Sequence, residues 1–235
     1  MERDTTKTQF QFFITSQAII YLLFLLIDFL NISQFSFHSC LLKYLGIIGC
    51  FLFVSREHII IKTALFFTLF ADYFLIFTDD YLIGVCFFIL VQLTYCFYFS
   101  DANLFHVLRS CLIAFVGTCI ITVLALFLFD NVLMYLDVLS LVAIFYYLLL
   151  LQNVFYAFLT GHNLLAVGLI LMALCDLNVG ICNIENYVSS ANILLSSLIA
   201  ASNVLMWFFY LPSQVLIALS FHKPQSSCIF WKDLV

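Results

Sequence analysis

Long hydrophobic runs separated by short polar breaks make up almost the whole chain. The breaks, which include SREH, FTDD, FSDANLFH and NIENYVSS, contain only a few residues each. An α-helix needs about 20 apolar residues to cross the hydrocarbon core of a bilayer. The pattern therefore predicts eight transmembrane helices, over residues 10–32, 40–54, 59–78, 81–99, 107–128, 133–158, 162–182 and 192–219.

The second run, 40–54, is short for a bilayer, and we expect its helix to begin earlier, in the preceding FSFHSC. Short connections make consecutive helices antiparallel and mostly adjacent in a bundle. No linker-like or low-complexity segment divides the chain. The expected fold class is all-α: a polytopic bundle of eight transmembrane helices with short loops, forming a single integral membrane domain over residues 1–235.

Composition strengthens the membrane prediction and excludes other classes of protein. Hydrophobic residues make up 66% of the chain and charged residues 9%, with a mean hydropathy of +1.18. Soluble domains contain about 25% charged residues. No basic tract with interleaved aromatic residues is present, so we expect contact with the lipid bilayer and none with nucleic acid.

The distribution of the cations predicts the orientation. With eight spans, one side of the membrane holds both termini and every second loop, and the loops of the opposite side contain no Lys or Arg. Basic residues concentrate on the cytoplasmic side of membrane proteins. We therefore expect a multi-pass protein with both termini in the cytoplasm. The cations of that side are Arg3, Lys7, Arg56, Lys62, Arg109, Lys223 and Lys232.

Two aspartates, Asp72 and Asp176, lie within long apolar runs. A carboxyl group in hydrocarbon is costly, so it is usually paired, lines a cavity or serves a function. Both runs begin on the cytoplasmic side in the predicted topology, and each aspartate stands about 13 residues further on, at a depth of roughly 20 Å. The sequence thus predicts two carboxyls at the same height on two parallel helices, facing one cavity.

Other polar residues within the spans add hydrogen-bonding groups to the same region. Each has a plainer interpretation as a tie between helices, and a lysine near a helix end can extend to the headgroups. The nine cysteines and five histidines show no metal-ligand spacing, so we expect no metal and no other cofactor. The polar residues are Asp28, Lys43, Gln92, Tyr95, Asp137, Tyr146, Tyr210 and Gln214.

Two carboxyls that share a dry cavity favour a state in which one is protonated and the other ionised. This arrangement suits a general acid and a general base acting on an acid-labile C–O bond through an oxocarbenium-like state. It suits proton coupling in a transporter equally well. Transporters often have helices broken by Gly or Pro, and this chain has only two prolines, Pro212 and Pro224. No GxSxG motif or phosphate-binding glycine loop is present.

The residues around the aspartates resemble those of the YhhN, or lysoplasmalogenase, family. The stretch TALFFTLFADYFLIFTDDYLIGVCFFILVQLTYCFYF is similar to the family's central block, with Asp72, Gly84, Phe88 and Tyr95 at its matching positions. The later GLILMALCDLNVGI resembles the second block, in which Asp176 matches the aspartate. The family has eight spans, so the resemblance covers nearly the whole chain.

Other parts of the chain extend the resemblance or depart from it. MWFFYLPSQVLIALS is similar to the closing Tyr-rich helix, and Lys43 falls where the family has Lys-Pro, here followed by Tyr44. Ala71 and Cys175 replace a Gly and a Ser before the two aspartates, and Gln92 replaces a His on the fourth helix. Glutamine does not exchange a proton at neutral pH, so it cannot take over acid-base work from a histidine.

The resemblance implies hydrolysis of the vinyl ether of lysoplasmalogens to a fatty aldehyde and a glycerophospho-base, without a cofactor. The partner would be a lysophospholipid-like amphiphile that enters from the bilayer. From the depth of Lys43 alone, we expect its phosphate to meet this lysine near the outer headgroups. The alternatives are a proton-coupled transporter and a non-catalytic lipid-binding relative. We expect Asp72 and Asp176 to form the acid/base pair, in an order left open. Six residues would orient substrate or water: Gln92, Tyr95, Tyr146, Tyr210, Gln214 and Lys43.

Overall fold

The computed structural model describes residues 2–30, 36–54, 59–78, 80–128, 137–183 and 193–221. These residues form helices joined by turns and contain no strand, which confirms the all-α class. A π-helical turn over Phe74–Thr78 follows the third helix directly. The helices are α1 Glu2–Phe29, α2 Ser36–Phe53, α3 Ile59–Tyr73, α4 Tyr81–Phe99, α5 Leu104–Leu128, α6 Val138–Leu159, α7 Asn163–Asn183 and α8 Ile193–Leu219.

Seven of these helices are long and apolar enough to cross a bilayer, so the protein is a multi-pass integral membrane protein. The exception is α2, whose apolar part, Phe37–Phe53, is shorter. This helix begins at Ser36, as expected from its sequence. Helix α1 begins at Glu2, ahead of the predicted residue 10, because backbone hydrogen bonding continues beyond the apolar run that limits the membrane-spanning part.

Six helices form a closed ring. In order around it, α2, α3, α4, α6, α7 and α8 each pack on the next, and α8 packs on α2. The two remaining helices lie against this ring, α1 on α2 and α8, and α5 on α6 and α4. Many large apolar side chains of α5 are exposed, as expected of a helix that faces lipid. All six of its helices contribute buried side chains to one core cluster.

The contacts among the helices repeat in the two halves of the chain. Each principal contact of α1–α4 has a counterpart in α5–α8: α1 packs on α2 as α5 packs on α6, and α3 packs on α4 as α7 packs on α8. The two halves therefore have the same order of helix contacts. Asp72 on α3 and Asp176 on α7 stand in the same register of equivalent helices.

The apolar core consists of two clusters of buried residues, a large one and a small one. One large cluster of buried residues draws on the six ring helices and α1. A smaller cluster, formed by Cys96, Val107, Ala114 and Leu149, attaches α5 to α4 and α6. Where α7 meets α8, Gly168 permits a close approach: a Cβ atom there would lie 3.1 Å from the carbonyl oxygen of Ser213.

Pro212 interrupts the hydrogen bonding of α8, and α1 compensates for it. Proline has no N–H, so the carbonyl of Phe208, one turn earlier, lacks its usual helical donor. The hydroxyl of Tyr21 on α1 donates to that carbonyl oxygen at 3.0 Å. Neighbouring helices commonly satisfy backbone groups freed by proline in membrane proteins. This bond joins α1 to α8 close to Tyr210.

Replacing Tyr21 with phenylalanine is expected to lower the free energy of unfolding by about 1 kcal/mol, because it leaves the Phe208 carbonyl unsatisfied in an apolar environment. Tyr147→Phe is a matched control, since Tyr147 donates at 3.3 Å to Ala173, whose carbonyl keeps its own helical donor. Unfolding in mixed detergent micelles measures both variants. Equal losses for the two variants would contradict the role given to Tyr21.

Candidate functional site

Asp72 lies near the end of α3, inside the ring, with only 3% of its surface exposed. The hydroxyl of Tyr210 on α8 donates to both of its carboxylate oxygens, at 2.6 Å to Oδ1 and 2.7 Å to Oδ2. The π-helical turn begins two residues after Asp72, and such turns are frequent at functional sites. Gly84 lets α4 approach this turn, because a Cβ atom there would lie 2.7 Å from the side chain of Leu75.

Asp176 occupies the equivalent place on α7 and has its own tyrosine. The hydroxyl of Tyr146 on α6 donates to its Oδ2 at 2.6 Å. The ring of Tyr146 packs against Phe88 of α4, with 5.6 Å between the centroids. Asp176 as a whole residue is partly exposed, whereas Asp72 is buried.

The two carboxyls are close enough to interact electrostatically. The Tyr210 hydroxyl and the Cys175 thiol are within electrostatic reach of both. The structure thus bonds Asp72 to a tyrosine of α8 and Asp176 to a tyrosine of α6. Tyr44 of α2 is also within electrostatic reach of Asp72, and it has the same register on α2 as Tyr146 on α6.

Gln92 and Tyr95 lie on α4, one turn apart, and both are buried. The side chain of Asn153 on α6 donates to Gln92 twice, at 2.9 Å to its carbonyl and 3.0 Å to Oε1. The Cys96 thiol in turn donates to Asn153 Oδ1 at 3.3 Å. Gln92 therefore joins α4 to α6, which is the structural role of a tie between helices. Tyr95 is within electrostatic reach of Tyr146.

Two buried amide atoms in this region have no hydrogen-bond partner among the described residues: Nε2 of Gln92, a donor, and Oε1 of Gln214, an acceptor. The other end of Gln214 donates to the Ser213 hydroxyl at 3.4 Å. Buried amide groups are normally hydrogen-bonded. Both amides therefore have an unused capacity to bind a polar group, and the orienting role expected for them from the sequence stays a prediction.

Lys43 forms an ion pair within the protein, whereas its predicted contact with a phosphate requires a free ammonium group. Its Nζ lies 2.8 Å from Oδ2 of Asp28 on α1, and the Ser39 hydroxyl donates to the other carboxylate oxygen at 2.6 Å. The same Nζ lies over the indole of Trp207 on α8, 4.0 Å from its centroid. The sequence placed Asp28 and Lys43 in the outer half of the bundle but did not pair them.

Asp137, the remaining acid considered from the sequence, caps α6. Its Oδ1 accepts from the backbone N–H of Ser140 at 2.7 Å and from the Ser140 hydroxyl at 2.6 Å. Sequence reasoning missed Ser39, Trp207 and Asn153. A signal existed for Asn153, a polar residue within an apolar run like Gln92, and for Ser39, which lies one helical turn before Lys43. Nothing in the pattern marked Trp207.

Comparison of the chain with protein-family models, with curated proteins and with solved structures finds no match. The resemblance to the YhhN family therefore stays an expectation from the sequence. Chemically, the site combines two carboxyls and two hydroxyl donors in the interior of a membrane bundle. Such a set can transfer protons and stabilise positive charge.

Proposed function

We propose that the protein is a membrane-embedded hydrolase of the lysoplasmalogenase type, related to the YhhN family, which cleaves the vinyl ether bond of lysoplasmalogens. The observation that carries the proposal is the pair of carboxyls, Asp72 and Asp176, at equivalent places on α3 and α7 of the helix ring and each bonded by a tyrosine hydroxyl. A pair of carboxyls with one proton between them supplies an acid and a base at once.

The reaction starts with protonation of carbon. One carboxylic acid gives its proton to the vinyl carbon that is not bonded to the ether oxygen, and the π electrons form the new C–H bond. The positive charge is shared by the ether oxygen and the carbon bonded to it, and the nearby carboxylate stabilises this charge. Apolar walls keep bulk water from competing, so the charge is stabilised mainly by protein groups.

Water then completes the reaction. The carboxylate takes a proton from a water molecule as the water oxygen bonds to the cationic carbon, which gives a hemiacetal. The hemiacetal hydroxyl then gives up its proton as the bond from carbon to the glycerol oxygen breaks, and the glycerol oxygen takes up a proton, which yields the aldehyde and the glycerophospho-base. One water is consumed, and the proton given by the acid is regained from the base. The unused amide atoms of Gln92 and Gln214 are suited to hold the water or the ether oxygen.

The topology proposed with this function has eight spans, including the short α2, and both termini in the cytoplasm. Support comes from the cations: Lys62 and Arg109 fall near the cytoplasmic ends of α3 and α5 in this orientation. Arg56, Lys223 and Lys232 lie outside the described residues. In this topology Asp72 and Asp176 are in the outer half of the membrane, where a lipid headgroup and the start of its chain meet.

A proton-coupled transporter is the second candidate, and two irregular helices favour it. The π-helical turn follows Asp72, and Pro212 follows Tyr210 by two residues. Interrupted helices around a buried acid are a mark of transporters. Proteoliposomes with an internal pH dye separate the candidates, since a transporter moves protons when its substrate is added outside and a hydrolase does not.

The hydrolase proposal is tested with purified protein in detergent, given lysoplasmalogen or its saturated 1-O-alkyl analogue. We expect fatty aldehyde from the vinyl ether only, because a saturated ether offers no carbon to protonate. Coupled aldehyde reduction provides the readout. The absence of aldehyde from a folded, monodisperse preparation would refute the proposal.

A further inference from the structure

The ion pair between Lys43 and Asp28 breaks the repeat of the two halves. Lys43 occupies the same register on α2 as Phe145 does on α6, so one half presents a cation where the other presents an aromatic ring. The Lys43 side chain is only 7% exposed and that of Asp28 21%. The carboxylate is thus the more accessible partner of the pair.

The carboxylate of Asp28 is held as a bound anion would be. Ser39 and Lys43 lie one turn apart on α2, and each takes one of the two oxygens. A phosphate offers the same charge and the same acceptor atoms to this pair of donors. Exchange of one anion for the other leaves Lys43 neutralised throughout, so it avoids the large cost of an unpaired buried charge.

We propose that Ser39 and Lys43 form the subsite for the phosphate of a single-chain amphiphile, and that this phosphate displaces the Asp28 carboxylate. The inference deepens the proposed function and rests on it for the identity of the substrate. It places the headgroup where α1, α2 and α8 meet and leaves the opposite half, with Phe145 in place of a cation, for the hydrocarbon chain.

A chain of contacts leads from this subsite to the reacting groups. The Lys43 ammonium lies over the indole of Trp207, and this indole packs edge-on against Tyr210 with 5.7 Å between centroids. Tyr210 in turn donates to Asp72. In a lysoplasmalogen, a glycerol backbone separates the phosphate from the vinyl ether. A phosphate at Lys43 would therefore direct the ether towards the carboxyls.

Trp207 provides a direct readout of binding that does not depend on catalysis. The chain has two tryptophans, so Trp231→Phe leaves Trp207 as the only one. This protein, in a detergent without phosphate, is titrated with lysophosphatidylcholine, with a monoacylglycerol of the same chain length, and with inorganic phosphate. We expect a saturable change in Trp207 emission with the first, and little with the others at equal concentration.

Two variants test the exchange of anions. Asp28→Asn removes the competing carboxylate and is expected to tighten lysophosphatidylcholine binding roughly tenfold or more. The double variant Asp28→Asn/Lys43→Met keeps the site neutral, so it should fold, and it should bind the phospholipid and the monoacylglycerol alike. Retention of a phosphate preference by the folded double variant would overturn the proposal.

The remaining outcomes separate this proposal from the hydrolase itself. An equal change in Trp207 emission with the phosphate-bearing and phosphate-free amphiphiles refutes the subsite. An equal change with inorganic phosphate at the same concentration shows that free phosphate occupies the site, which refutes its assignment to an amphiphile. Equal kcat/KM for lysoplasmalogen and for 1-alkenylglycerol refutes the subsite and leaves the hydrolase standing. A phosphate preference that requires Lys43, in a protein that releases no aldehyde, supports the subsite and refutes the hydrolase.

Discussion

Replacing either Asp72 or Asp176 with asparagine is expected to lower kcat for aldehyde release by roughly 100- to 10,000-fold, the usual contribution of a general acid or base. Asparagine preserves the shape of the side chain and can still accept from Tyr210 or Tyr146, so the fold should persist. It cannot give a proton to carbon or take one from water. The variants are compared at saturating lysoplasmalogen, where binding no longer limits the rate.

The two carboxyls act as a unit in this mechanism, so the double variant should be little slower than the worse of the single variants. Asp137→Asn is the matched control, because its carboxyl caps α6 and asparagine caps a helix about as well. This control should keep its activity. Full activity in either Asp72→Asn or Asp176→Asn would remove that residue from the acid/base pair.

Replacing Gly168 with valine is expected to lower the free energy of unfolding by about 1–3 kcal/mol, the usual cost of overpacking. A Cβ atom at this position would lie 2.9 Å from the side chain of Ile217 and 3.1 and 3.2 Å from backbone atoms of Ser213 and Ile217. Backbone atoms cannot move aside by changing a rotamer, so α7 and α8 must separate. Activity should fall as well, since Asp176 and Tyr210 lie on these two helices.

Gly180 on the same helix is a suitable control, because a Cβ atom there would have nothing within 4 Å. Gly180→Val should leave stability unchanged or slightly raised, since valine has a better helix propensity than glycine. Unfolding in mixed micelles gives the stability of both variants. A loss in Gly168→Val no greater than in Gly180→Val would show that the two helices adapt to the added side chain.

The sequence predicted the existence and order of the helices well, because a bilayer selects apolar runs of a set length. Helix α4 has the predicted bounds, and α7 is displaced by one residue at each end. The prediction was poorer at α1, where polar residues continue the helix, and it gave no sign of the π-helical turn after Tyr73. A local change in backbone hydrogen bonding leaves no mark on a hydrophobic pattern.

For the candidate site, the equivalent positions of Asp72 and Asp176 along their helices could be predicted, but their partners could not. Tyr210 is far from Asp72 in the sequence, and α8 reaches α3 only because the ring closes. The same closure brings Trp207 over Lys43. Depth is a property of each helix alone, whereas these pairs depend on the order of helices around the ring. Twelve tyrosines offered too many candidates for a choice without that order.

The similarity of the two halves bears on which carboxyl acts as the general acid and which as the general base. Two groups in identical surroundings would gain and lose a proton with equal ease, and neither would be committed to one role. Whatever distinguishes donor from acceptor must come from residues that differ between the halves. The Tyr210 hydroxyl contacts both carboxylate oxygens of Asp72, which is buried, whereas the Tyr146 hydroxyl contacts one oxygen of Asp176, which is only partly buried as a residue. Exchanging the residues that surround Asp72 with those that surround Asp176 should therefore exchange the roles of proton donor and proton acceptor.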